Sequence, residues 1–74
     1  MMKISYDNEV DALYIRFRDE PVQVTTQRLS EDVAVNYAPD GRIVGIEILD
    51  ASEYVFRPGD ERKVTLHNLV ADAA

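Results

Sequence analysis

Val33-Ala34-Val35-Asn36-Tyr37-Ala38-Pro39-Asp40-Gly41-Arg42-Ile43-Val44-Gly45-Ile46-Glu47-Ile48-Leu49 is the stretch that decides the fold. Pro39 presets φ for the first corner of a turn, Asp40 suits the second, and Gly41 takes the left-handed conformation that closes a type I turn with a bulge. Val33, Val35 and Tyr37 share one face of the incoming strand. The return strand, Arg42 to Leu49, is apolar on both faces apart from Glu47, the pattern of a strand covered on both sides. One face is expected to meet a helix and the other a second subunit or a folded-back segment. Gly45 weakens a strand interior, so a close backbone or aromatic approach over it is expected.

Upstream, period-two alternation continues. Ile4 and Tyr6 share a face of a first strand, a turn follows at Asp7-Asn8-Glu9, and Leu13, Ile15 and Phe17 alternate with Tyr14, Arg16 and Arg18 in a second. Pro21 ends the connection, and Val22, Val24 and Thr26 alternate with Gln23, Thr25 and Gln27 as a polar edge strand, with a turn at Glu31-Asp32. Downstream, Asp50-Ala51-Ser52-Glu53 matches a capping box, with Asp50 as N-cap of a short helix to about Phe56, stopped by Arg57-Pro58-Gly59-Asp60. Leu66, Leu69, Val70 and Ala73 fall on one face at helical spacing behind Thr65, which predicts a C-terminal helix; a sixth strand over Arg62 to Leu66 is the alternative. The expectation is an α+β fold, one small domain over residues 1–74, with a roughly five-stranded antiparallel β-meander, a short helix after the last strand and a C-terminal helix.

The 74 residues bound what this fold can do alone. Scaling gives roughly 4,600 Å² of folded surface against about 12,000 Å² unfolded. If about 60% of the difference is apolar, burial contributes on the order of 110 kcal/mol, matched by ~1.5 kcal/mol per residue of lost conformational entropy. The chain has no cysteine, so neither a disulfide nor a thiolate zinc site can help. A homodimer is the expected remedy. A net charge of -6 works against direct nucleic-acid binding, and no apolar run approaches membrane-spanning length. The start of the chain lacks a signal-peptide apolar region, which leads to the expectation of a cytoplasmic protein without membrane contact.

Tyr6-Asp7 with Asp11-Ala12-Leu13-Tyr14-Ile15, and Gly41-Arg42-Ile43-Val44-Gly45-Ile46-Glu47-Ile48-Leu49-Asp50-Ala51-Ser52, resemble the motifs of a widespread prokaryotic family, domain of unknown function number twenty-two eighty-three. The resemblance covers a core of residues 2–53 and leaves 54–74 as an extension. It implies a compact β-rich domain in small cytoplasmic proteins, without an established activity, cofactor or substrate. It is compatible with a toxin-like partner protein.

Asp7, Glu9 and Asp11 alternate like the opening ligands of a calcium loop, but Ala12 stands where that loop needs Gly and Arg18 where it needs Glu. They are weak metal candidates, better read as a solvated acidic turn. His67, the single histidine, has no serine in a nucleophile-elbow context and no cysteine beside it, so no catalytic residues and no cofactor are expected. Glu47 is expected to pair across strands with Arg16, or else to mark a functional cleft. Tyr14, Tyr37 and Tyr54 read as core or rim aromatics that, facing outward, would form a protein-binding hot spot with Arg16 and Glu47. The composition leads to a non-enzymatic interaction module, homodimeric, with a basic protein partner and possible antitoxin-like action; the alternative is a small-molecule or divalent-metal-binding domain.

Overall fold

The computed structural model describes residues 1–19 and 22–68. Five strands form one antiparallel sheet: β1 (Lys3–Asp7), β2 (Ala12–Arg16), β3 (Thr25–Arg28), β4 (Val33–Tyr37) and β5 (Ile43–Ile48), followed by the one-turn helix α1 (Ala51–Tyr54). The expected strands, their antiparallel pairing and the helix after the last strand are all present. The strand order corrects the meander: it runs β1-β2-β5-β4-β3, with β5 between β2 and β4. The reason lies in composition. β5 is the most apolar strand and takes the centre, whereas polar β3, exposed at all four residues, takes an edge. That edge strand begins at Thr25, later than its alternation suggested, and Val24 stands 42% exposed before it.

The hairpin between β4 and β5 forms as its residues dictate. Gly41 has φ of 86°, its N–H donates to the Ala38 carbonyl at 2.9 Å, and the Ala38 N–H donates to the Arg42 carbonyl at 2.8 Å. Asp40 Oδ1 accepts the Arg42 N–H at 3.0 Å, locking the corner. A register shift between Asn36 and Tyr37 adds the bulge.

Register and alternation divide the sheet into two faces. Ile4, Leu13, Ile15, Ile46, Ile48, Val33 and Val35 lie on the apolar face; Ser5, Tyr14, Arg16, Gly45, Glu47, Asn36 and Thr26 lie on the polar one. β5 is therefore apolar on one face only. On the other, the Tyr14 ring lies over Gly45: a Cβ added there would meet Tyr14 Oη, and Tyr14 Cζ at 2.7 Å. The expected aromatic approach is thus a neighbouring strand's own side chain.

The C-terminal expectations are revised. Gly59, with φ of 91°, and Pro58 end the helical region, and residues 61–68 run without helix or strand, so the described part of the expected C-terminal helix and the alternative sixth strand are both absent. Leu69, Val70 and Ala73 of that helix lie outside the described residues. The physical reason is packing: Val64 is 67% and Leu66 88% exposed, too little burial to offset the cost of nucleating a helical turn.

Candidate interaction surface

The chain that follows α1 packs over part of the apolar face. Phe56, just beyond α1, sets its ring edge-on to Tyr6 at 4.9 Å between centroids, and the Arg62 guanidinium lies 4.8 Å from the Tyr6 centroid. Between this cover and the sheet runs a groove of about 270 Å³, floored by Ile4, Leu13 and Ile15 and bounded by Val55, Phe56 and Val64 with Glu61 and Lys63 at its border. Ile4 and Phe17 remain 38% and 39% exposed. Among the described residues the buried apolar side chains are Leu13, Ala34, Val35, Ala38, Val44 and Ala51, and no large side chain is fully enclosed.

What anchors α1 is a carboxylate from a distant turn. Asp11 adopts φ of 55°, a left-handed conformation that Asp tolerates better than most residues. Its Oδ2 accepts the Ser52 hydroxyl at 2.6 Å, its Oδ1 accepts the Ser52 N–H at 3.0 Å and the Tyr6 hydroxyl at 2.6 Å, and its carbonyl accepts the Ala51 N–H at 3.0 Å. The Ser52 hydroxyl, then Tyr6, hold the Asp11 carboxyl below its ordinary value, and donation to Asp11 raises the Tyr6 phenol. This corrects the capping reading. Asp50 is the N-cap by position, but it sits at φ of 52° and makes no side-chain cap, because Asp11 already takes the Ser52 N–H.

The acidic turn is built by local hydrogen bonds. Asp11 is occupied by Tyr6 and Ser52, Asp7 Oδ1 accepts the Glu9 N–H at 3.0 Å, and among the described residues no three His, Cys, Asp or Glu side chains come together as a ligand set. Asp7, Glu9 and Asp11 are turn-builders in this fold.

The interaction candidates separate. Tyr14, Arg16 and Glu47 share the polar face, Tyr37 lies on the apolar face, and Tyr54 stands 65% exposed on α1. The Glu47–Arg16 pair does not form: the register sets Glu47 opposite Tyr14 and Ala34, and Arg16 opposite Gly45 with its Nε donating to the Arg18 carbonyl at 2.7 Å. Glu47 is half-buried and makes no ion pair among the described residues. Tyr54 donates to Asp32 Oδ2 at 2.6 Å, which raises its phenol and ties α1 to the turn before β4. Two residues not singled out in the sequence complete the polar face. Asn36 Nδ2 donates to Tyr14 Oη at 3.0 Å and Thr26 Oγ1 donates to Asn36 Oδ1 at 2.6 Å, a chain spanning β3, β4 and β2. Its only sequence signal is a polar residue at each outward position.

A family model described as "Protein of unknown function (DUF2283)" matches residues 3–52, within one residue of the expected core at each end. No curated protein and no solved structure matches the chain. The matched span holds all five strands and both partners of the Asp11–Ser52 clasp, and it ends before Phe56 and Arg62, which cover Tyr6.

Proposed function

The chain belongs to the DUF2283 family of proteins of unknown function, and from the surface its fold leaves open we propose that it is a non-enzymatic protein-interaction module, cytoplasmic and homodimeric. The observation that carries this reading is the apolar groove between Ile4, Leu13 and Ile15 of the sheet and Val55, Phe56 and Val64, with Ile4 and Phe17 38% and 39% exposed beside it. The strands contribute no ionised side chain to this face; Glu61 and Lys63 border its groove, Asp40 lies beside Arg18 and Arg42, and the chain as a whole is acidic, with a net charge of -6. An apolar patch on an acidic chain suits a basic partner that brings an apolar patch of its own. An antitoxin-like action, in which this surface masks a basic protein, is consistent with that chemistry.

Co-purification from native extract tests the proposal, with wild type and a Phe17→Glu variant whose circular dichroism is unchanged. The expected result is a stoichiometric basic partner held by wild type and lost from the variant. Elution of wild type without a partner, by crosslinking as well as by co-purification, would contradict it.

A further inference from the structure

β1 is one of the two edges of the sheet, and no backbone hydrogen bond outside its pairing with β2 reaches it among the described residues. In an antiparallel pair, facing residues both turn their N–H and C=O groups toward the seam or both away from it. Two copies of one strand related by a two-fold axis can therefore pair only when facing residue numbers sum to an even number. For β1 the longest such register centres on Ser5. It sets Lys3 of one copy opposite Asp7 of the other, twice, with Ile4 opposite Tyr6 on the apolar side.

The other edge offers no such match. β3 pairs with itself about Thr26, placing Thr25 opposite Gln27, or about Gln27, placing Thr26 opposite Arg28; neither sets opposite charges together. We infer that the dimer forms edge to edge through β1, with a second copy of this chain as the occupant, joining two five-stranded sheets into one of ten. The inference rests on the homodimeric reading above and names its interface. Lys3 is 66% exposed, and Asp7 engages the Glu9 N–H through Oδ1, leaving Oδ2 for the facing lysine. Lys3 also lies 3.7 Å from Asp19, a surface contact that water screens and a facing Asp7 can share. The two apolar faces become continuous across the seam.

The chain has no cysteine, so introduced thiols report the register directly. Facing Cα atoms in an antiparallel pair lie about 4.5–5.5 Å apart, within disulfide reach. Ser5→Cys is expected to oxidise to a covalent dimer at protein concentrations where Thr26→Cys does not. Lys3→Asp should weaken the dimer about tenfold, and adding Asp7→Lys should restore it. A wild-type dimer in which Thr26→Cys crosslinks and Ser5→Cys does not, or in which the charge swap fails to restore affinity, would overturn the β1 seam while leaving the dimer standing. Mass growing beyond two copies with concentration would also overturn it, in favour of open-ended β1-to-β3 pairing. A monomer at every concentration would overturn both the seam and the dimer.

Discussion

Asp11 and Ser52, 41 residues apart in sequence, are joined side chain to side chain at 2.6 Å, and the same carboxylate takes the Ser52 N–H. The first turn of a four-residue helix is thereby capped from the β1–β2 loop, and Val55 and Phe56, which border the groove over Ile4, Leu13 and Ile15, follow directly from it.

Removing the clasp should loosen α1. Asp11→Ala is expected to lower the melting temperature by about 5–10 °C, since it deletes a cap and leaves Tyr6 and Ser52 without their acceptor. Ser52→Ala should cost less. The double variant should be little worse than Asp11→Ala alone, because both act on one interaction; thermal melts of the three proteins check this.

The clasp also sets a pH dependence. The folded Asp11 carboxyl lies below its ordinary 3.8, so its stabilisation is fully present above that value and is lost as pH falls through it toward the folded one. Tyr6 and Tyr54 are raised above 10.0, so their contribution holds below pH 10 and is lost as pH rises through their folded values. Asp11→Asn should flatten the acid limb of a denaturation series, and Tyr6→Phe part of the alkaline limb.

The two strand-side glycines should respond differently to alanine. At Gly45 a Cβ meets Tyr14 Cζ at 2.7 Å and the Ile15 carbonyl oxygen at 2.8 Å, so Gly45→Ala should cost about 2–3 kcal/mol through overpacking. At Gly41 the space is open and only the φ of 86° resists, so Gly41→Ala should cost about 1 kcal/mol. Chemical denaturation of both variants measures the difference.

Glu47 makes no ion pair among the described residues, so Glu47→Gln should change stability by less than about 0.5 kcal/mol. A loss of about 3 kcal/mol or more in the same assay would instead signal a broken buried ion pair.

The sequence was informative where interactions are local. Alternation located the strands, and Pro39, Asp40 and Gly41 determined the hairpin, because φ preferences and period-two patterning act over a few residues. The misreadings share a cause in long-range pairing. Asp50 looked like the cap because the competing acceptor, Asp11, lies 39 positions away. Opposite charge points to Glu47 meeting Arg16, but the register offsets them by one pair, which no pattern within either strand specifies. β5 read as apolar on both faces because Gly45 has no side chain to reveal that Tyr14 fills its place.

The homodimer is decided by solution mass, from light scattering on a size-exclusion column over a tenfold dilution series. The expected mass is twice the 8.4 kDa of the chain, held across the series. A mass of 8.4 kDa at every concentration would contradict it.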